Sequence, residues 1–132
     1  MNARRESIQT GENLNWATAE ALAFASLSQE GYGLRLTGQD SVRGAFSQRH
    51  LKLIDQETGL EHDLFSGLES DGKKEFINSP LSEYGVVGFE YGYSLETPDC
   101  LTIWEAQFGD FLNVAQVTVD QFIICAEQKW GL

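Results

Sequence analysis

The fold is decided by the stretch Ser79-Pro-Leu-Ser-Glu-Tyr-Gly-Val-Val-Gly-Phe-Glu-Tyr-Gly-Tyr-Ser-Leu95 and by Cys100-Leu-Thr-Ile-Trp104 just after it. Pro80 suits a first helical turn, Glu83 lies in that turn, and the mostly apolar residues that follow predict a buried helix. Close packing is expected at the glycines of this helix, Gly85, Gly88 and Gly92. The nearly continuous apolar run that comes next is typical of a strand in a parallel sheet.

The residues before this stretch predict a helix and a strand. Residues 1–13 are polar and are expected to form a loose lead-in. Asn15 is placed to cap a helix. The apolar residues of that helix recur with the 3.6-residue period and are Trp16, Ala19, Leu22, Ala23 and Leu27. Gly31 and Gly33 are expected to stop the helix, and residues 32–37 alternate like a short strand.

The middle of the chain is predicted to be mostly irregular. Residues 42–50 are basic and loop-like, and residues 51–54 are too few to decide between an extended piece and a turn of helix. Residues 55–75 predict a surface excursion with a short extended stretch near Phe65. A second short strand is expected at residues 76–78.

A last helix is expected after the apolar strand and a loop at residues 105–110. It runs to about Gln128 and is marked by Val114, Val117, Val119, Phe122 and Ile123. The order of elements implies βαβ crossovers, and hence an α/β fold of three layers in which helices flank a mostly parallel sheet. A sheet with so few strands is small and leaves an unpaired edge. We therefore expect residues 14–132 to form a partial domain, truncated at its C-terminal side.

The charge and composition argue against several classes of function. Nine Lys and Arg face 20 Asp and Glu, a formal net charge of −11, which opposes contact with a phosphate backbone, so nucleic acid is not an expected partner. The scattered basic residues, Arg43 and Arg49 among them, are interpreted as solvated surface. No apolar run is long enough to span a membrane and no secretory signal opens the chain, which predicts a cytoplasmic location. Cys100 and Cys125 have no metal or redox spacing and are expected to be reduced.

Several motifs occur in order along most of the chain. They are Asn15-Trp-Ala-Thr-Ala-Glu-Ala-Leu-Ala-Phe24, Leu36-Thr-Gly-Gln-Asp40 with Arg43-Gly-Ala-Phe-Ser-Gln-Arg-His50, Asn78-Ser-Pro-Leu-Ser-Glu-Tyr-Gly-Val-Val-Gly-Phe-Glu-Tyr-Gly-Tyr93, and Trp104-Glu-Ala-Gln-Phe-Gly-Asp-Phe111 with Ala115-Gln116, Asp120-Gln-Phe122 and Glu127-Gln-Lys-Trp130. In this order they resemble the pyrimidine-binding domain of the first, decarboxylating component of 2-oxoglutarate dehydrogenase, a relative of transketolase.

The resemblance implies an oxidoreductase of the tricarboxylic acid cycle that uses thiamine diphosphate with magnesium. In that family a separate pyrophosphate-binding domain carries a Gly-Asp-Gly…Asn metal motif, which these 132 residues lack. No metal ligand is therefore assigned here, and the magnesium and diphosphate site is expected on that domain or on a second subunit. The other partners implied are a second copy in a homodimer and the dihydrolipoyl succinyltransferase component. A eukaryotic source would imply the mitochondrial matrix.

Glu83 holds the motif position of the glutamate that activates the cofactor in the family. There the carboxyl group hydrogen-bonds a pyrimidine ring nitrogen and favours the imino form, which takes the proton of the thiazolium carbon. A carboxyl group in this role needs low solvent exposure and a raised pKa, which Leu81, Tyr84, Val86 and Val87 are expected to supply. On spacing alone, Glu83 is a first-turn glutamate that complements the helix dipole.

The other candidate site residues lie in two loops. Phe108 and Phe111 could sandwich the pyrimidine ring, and one of them is expected to contact it, although both also fit as core anchors. The resemblance implies that His50 faces the substrate or its covalent intermediate, with a surface histidine as the alternative. Gln107 is a candidate polar contact to the same intermediate. Asp40 is a candidate cofactor contact, because open α/β sheets bind ligands at the C-terminal ends of their strands.

Three hypotheses of function follow. In the first, the chain supplies the pyrimidine half of a 2-oxoglutarate decarboxylating site, and another polypeptide completes it. In the second, it is a non-catalytic fragment or remnant that cannot bind the cofactor alone. The third, a small acidic interaction module, requires the order of the motifs to be a coincidence.

Overall fold

The computed structural model describes residues 2–131, so Met1 of the expected lead-in and Leu132 of the expected partial domain lie outside the described residues. In chain order the elements are α1 (Asn2–Thr10), α2 (Trp16–Gln29), β1 (Gly33–Gly38), β2 (Lys52–Ile54), β3 (Glu61–Asp63), β4 (Lys74–Asn78), α3 (Glu83–Glu96), β5 (Cys100–Glu105), a 3-10 helix (Gly109–Ala115), α4 (Gln116–Thr118), a π-helical segment (Val119–Ile123) and α5 (Ala126–Trp130).

Three parallel strands form the main sheet in the order β4-β1-β5. In the register, Leu36 of the central strand pairs with Phe76 on one side and Ile103 on the other. Helix α2 packs on the face of these three residues, and α3 packs on the opposite face. The predicted α/β fold, a parallel sheet flanked by helices, is confirmed.

The larger core lies between α2 and the sheet. Its buried members are Phe24, Leu34, Leu36, Val42, Leu51, Phe65 and Phe76. Phe65 stands between Phe24 and Phe76, with ring centroids 6.5 and 5.7 Å away. The excursion at residues 55–75 is therefore not only surface, because it inserts one aromatic side chain into the core.

The lead-in is helical rather than loose. Within α1, Ser7 is buried, and Arg4 donates a hydrogen bond of 3.1 Å from Nη2 to the carbonyl oxygen of Gln48. These contacts fix the helix to the rest of the chain, which a composition of polar residues does not predict.

Helix α2 begins where predicted, since the Asn15 side chain accepts a hydrogen bond of 2.9 Å from the Thr18 amide. The predicted buried face is wrong: Trp16 is 83% exposed. The buried residues are instead Ala17, Thr18, Phe24 and Ser28. Alanine occurs all round this helix, so its apolar pattern does not select one face. The sheet packs against the face that carries Phe24, with Ala21, Ala25 and Leu27 beside it.

Helix α3 begins at Glu83, with Ser82 as its N-cap, so Pro80 lies before the helix and not in its first turn. Val86, Val87 and Glu90 are buried against the sheet. The expected close packing at the helix glycines is wrong within this chain. A Cβ atom added at Gly88 or Gly92 would meet nothing within 4 Å, and one at Gly85 only ordinary contacts from 3.6 Å, because these residues face away from the sheet.

The remaining elements differ from the prediction in their bounds. Residues 52–54 are a strand, β2, that pairs antiparallel with β3, which is the extended stretch expected near Phe65. The strand predicted at residues 76–78 begins at Lys74. Gly33 opens β1 instead of ending the helix before it.

The C-terminal region is a series of short helical segments rather than one helix. A π-type hydrogen bond of 2.9 Å from the Ile124 amide to the Val119 carbonyl oxygen accompanies the change in winding. The predicted apolar residues are largely exposed here, with Val114 at 52% and Phe122 at 45%. Among the described helices, none is long and apolar enough to cross a membrane.

Candidate functional site

The C-terminal ends of β1 and β5 meet closely at Gly38. Its φ of +149° favours glycine, and a Cβ atom added there would lie 2.1 Å from the carbonyl oxygen of Glu105. Two loops therefore leave the sheet side by side. We call residues 42–51 the histidine loop and residues 106–111 the phenylalanine loop.

Asp40 and Gln107 are brought together at this end of the sheet. The Gln107 amide nitrogen donates a hydrogen bond of 3.4 Å to Asp40 Oδ2, and the same oxygen lies 3.3 Å from Arg43 Nη2. Asp40 adopts a left-handed φ of +55° just after the strand. Two residues predicted separately thus share one polar cluster.

The histidine loop is closed by its own backbone. The Leu51 amide donates to the Val42 carbonyl oxygen at 2.9 Å, and the amides of Arg49 and His50 both donate to the Arg43 carbonyl oxygen at 3.1 Å. His50 has a φ of +50° and is exposed. Its imidazole lines a cavity of about 410 Å³, whose lining in the described part of the chain includes none of the other predicted site residues.

Arg49 is not a surface residue, which corrects the interpretation of the basic loop. Its side chain is 6% exposed and donates to both carboxylate oxygens of Glu20, at 2.6 and 2.9 Å, and to the Ser41 carbonyl oxygen at 2.7 Å. It also contacts the Glu105 carboxylate. Burial opposes the charge of Arg49, but hydrogen bonds to the two carboxylates outweigh it and raise the pKa of the guanidinium above its ordinary value.

Phe108 and Phe111 pack against each other. Their rings meet edge to face with centroids 5.4 Å apart and an interplanar angle of 83°, so no third ring fits between them. Phe108 is 53% exposed and Phe111 is 37% exposed, so neither is a core anchor. Each ring still offers its outer side to a ligand.

Glu83 stands at the N-terminus of α3, where the Ser82 hydroxyl accepts a hydrogen bond of 3.5 Å from the Gly85 amide. Glu83 is half-buried, and its carboxylate makes no hydrogen bond or ion pair to any of residues 3–131. The expected apolar shield is only half formed: Val86 and Val87 are buried, but Leu81 and Tyr84 are exposed at 48% and 54%. With these two neighbours exposed, the described residues do not enclose the carboxylate.

These residues fit part of thiamine diphosphate. An unengaged carboxylate at a helix N-terminus and an exposed aromatic face can bind the edge and the face of an aminopyrimidine ring. Over residues 2–131, no group of three or more His, Cys, Asp or Glu side chains is arranged to hold a metal ion. By their chemical type these groups suit the pyrimidine part of the cofactor, and the described residues offer no such cluster for its magnesium ion.

Comparison with known proteins identifies the family of the chain. The family described as transketolase, pyrimidine binding domain, matches residues 12–132. The chain belongs to this family. The residues that match this pyrimidine-binding domain family include α2, the main sheet, α3 and the C-terminal helical segments.

Relatives of this pyrimidine-binding domain are much longer proteins. The 2-oxoglutarate dehydrogenase E1 component of Oceanobacillus iheyensis is 54% identical over 133 residues, covering 99% of this chain and 14% of that protein. The mitochondrial 2-oxoglutarate dehydrogenase of Saccharomyces cerevisiae is 56% identical over 129 residues, covering 96% and 13%. A probable 2-oxoadipate dehydrogenase complex component E1 homolog of Dictyostelium discoideum is 48% identical over 129 residues, covering 98% and 14%.

The local sequence does not reveal the buried ion pairs. Arg49 and Glu105 lie in predicted loops, and Glu90 is a charged residue within the mostly apolar helix α3. One signal was present: a charged residue flanked by buried apolar positions needs a partner of opposite charge. The identity of the partner is not readable from local spacing, since Glu105 and Arg49 are 56 residues apart.

Proposed function

We propose that this chain supplies the pyrimidine half of a thiamine diphosphate site in the decarboxylating component of a 2-oxoglutarate dehydrogenase. The observation that carries the proposal is the unengaged carboxylate of Glu83 at the start of α3, within the motif Ser82-Glu-Tyr-Gly85. The family match and two relatives named 2-oxoglutarate dehydrogenase support it.

Glu83 is the catalytic residue of the proposal. When bound, thiamine diphosphate would supply a carbon nucleophile for a 2-oxo acid and an electron sink for its decarboxylation. The Glu83 carboxyl group holds a proton between its oxygen and a ring nitrogen of the pyrimidine, which favours the imino form of the ring. Because Leu81 and Tyr84 are exposed in this chain, a second protein surface must cover them to exclude water from the carboxyl group.

The two loops supply the remaining contacts. Phe108 stacks on the pyrimidine ring, because Phe108 is more exposed than Phe111. Asp40 contacts the cofactor, and Gln107 and His50 contact the substrate or its covalent intermediate. The Asp40–Gln107 hydrogen bond supports a shared location for two of these contacts.

The magnesium ion and the diphosphate are assigned to a pyrophosphate-binding domain outside these 132 residues. That domain belongs either to another part of a longer polypeptide or to a second subunit, and the intact enzyme is proposed to be a homodimer that works with a dihydrolipoyl succinyltransferase component. This chain covers only 14% and 13% of the two 2-oxoglutarate dehydrogenase relatives, which supports a diphosphate-binding half of the site outside these residues. The location follows the source: cytoplasm in bacteria, or mitochondrial matrix in eukaryotes.

A titration with the isolated aminopyrimidine part of thiamine tests the proposal without the diphosphate site. In amide NMR spectra of the 132-residue chain, we expect shifts at Glu83–Gly85 and at Phe108. Glu83→Gln should weaken binding by about tenfold, because the variant cannot share a proton with the ring. Glu96→Gln, at the exposed far end of the same helix, is the matched control and should bind like the unchanged chain.

Two outcomes would overturn the proposal. If the folded chain shows no shifts at millimolar ligand, the non-binding fragment is the better description. If Glu83→Gln and Glu96→Gln bind equally well, Glu83 does not have the proposed role. Reduction of an artificial electron acceptor with 2-oxoglutarate should appear only after a pyrophosphate-binding half is added.

A further inference from the structure

We propose that Arg49 is a positioning residue that holds the histidine loop and the phenylalanine loop in one fixed arrangement. The inference rests on the proposed function, because these loops carry His50, Gln107 and Phe108. It adds a residue that touches neither cofactor nor substrate and acts through the backbone of both loops.

The guanidinium of Arg49 links three parts of the fold. It forms a two-pronged pair with Glu20 of α2, donates to the Ser41 carbonyl oxygen at the base of its own loop, and contacts Glu105 at the end of β5. A planar fork with five donors can satisfy all three partners at once, whereas a lysine ammonium cannot match this geometry.

Glu105 carries the link to the second loop. Its other carboxylate oxygen accepts a hydrogen bond of 3.4 Å from the Ala45 amide in the histidine loop. Along the chain, Glu105 precedes Gln107 by two residues and Phe108 by three. A change in the Arg49–Glu105 pair therefore acts on both loops.

The bonds of Arg49 are not needed to close its own loop. The backbone hydrogen bonds between Val42 and Leu51 and onto the Arg43 carbonyl oxygen already do so. The guanidinium bonds to Glu20 and Glu105 lead outward, to α2 and β5, and the bond to the Ser41 carbonyl oxygen holds the base of the loop. These bonds fix the position of the histidine loop relative to α2 and β5. In this loop Ser47 and His50 have left-handed φ values of +52° and +50°, which persist only where the surrounding contacts hold the backbone in place.

The test compares Arg49→Lys with Arg35→Lys in the full chain. Arg35 is the other largely buried arginine with two carboxylate partners, and it lies on the opposite face of the sheet. Both variants lose a fork and should lose similar stability. Arg49→Lys should speed amide hydrogen exchange in both loops by about tenfold, which Arg35→Lys should not do, and it should weaken aminopyrimidine binding by a similar factor.

A second variant keeps the test valid if Arg49→Lys folds poorly. Glu105→Gln retains the arginine and Glu20 but weakens the link to β5, and should loosen both loops together. The proposal is overturned if the loops respond separately, or if Arg35→Lys loosens them as much. The exchange measurement needs no ligand, so it decides the role of Arg49 even if the chain does not bind aminopyrimidine, a result that would count against the proposed function alone.

Discussion

Arg35 of the central strand binds Glu90 of α3 through two parallel hydrogen bonds, Nε to Oε2 at 2.6 Å and Nη2 to Oε1 at 3.0 Å. The two side chains keep only 10% and 5% of their exposure. The Arg35 guanidinium also contacts Glu75 at 3.1 Å and lies 4.4 Å from the ring centroid of Tyr93. The hydrogen bond to Glu90 is the main cause that raises the pKa of Arg35, and the ion pair joins α3 to the sheet.

Removing one partner of this pair should lower the free energy of unfolding more than replacing both partners with apolar residues. Glu90→Gln removes the main charged partner of a largely buried arginine that keeps Glu75, and should cost about 1.5 to 3 kcal/mol in the free energy of unfolding. The double variant Arg35→Met with Glu90→Leu should recover a large part of that loss, because two apolar side chains need no partner. Urea unfolding of the variants measures both free energies. A double variant less stable than Glu90→Gln would show that the loss does not come from an unpaired buried charge.

The free energy of unfolding should decrease at acidic pH because Glu75 becomes protonated. Burial alone would raise its pKa, but hydrogen bonds from Lys73, Arg35 and Tyr93 outweigh it and hold the pKa of Glu75 below its ordinary value. A carboxyl group with a lower pKa in the folded state stabilises the fold above its unfolded pKa, and that stability is lost as pH falls through the folded value.

The change that tests this is Glu75→Gln. The variant should be less stable at pH 7, and its free energy of unfolding should depend less on pH from about pH 5 downward. Urea unfolding at several pH values gives the slope. An unchanged slope would show that Glu75 binds the same number of protons in both states.

Two glycines should respond oppositely to alanine. Gly38→Ala places a Cβ atom 2.1 Å from the Glu105 carbonyl oxygen, so the ends of β1 and β5 must separate. That variant should be strongly destabilised, by about 2 kcal/mol or more. Gly88→Ala fills open space on α3 and should stabilise the isolated chain by about 0.5 to 1 kcal/mol. Thermal unfolding measures both, and equal losses would mean that the α3 face is not open.

The two aromatic residues of the phenylalanine loop should differ in binding but not in stability. Phe108→Leu and Phe111→Leu each remove the same edge-to-face contact, worth about 1 kcal/mol. Only Phe108→Leu should weaken aminopyrimidine binding, since the Phe108 ring is the more exposed. Amide NMR titrations compare the affinities, and a larger loss in Phe111→Leu would reverse the assignment.

Local sequence patterns determined four elements of this fold: α2, β1, α3 and β5. Their signals lie within one or two turns of chain, as with Asn15 before an apolar helix and the apolar run of β5. Capping, strand alternation and proline geometry act over that distance, so the sequence is sufficient to predict helix, strand and helix in the right order. The ordered motifs likewise identified the pyrimidine-binding domain family.

Tertiary structure alone decided which faces are buried and which charges meet. The α2 helix could present more than one apolar face, and packing on the sheet chose the one with Phe24 and left Trp16 exposed. The order β4-β1-β5 brings Arg35 to Glu90 and Arg49 to Glu105, across 55 and 56 residues. A side chain's distant partner depends on strand order and register, and no local period in the sequence encodes these.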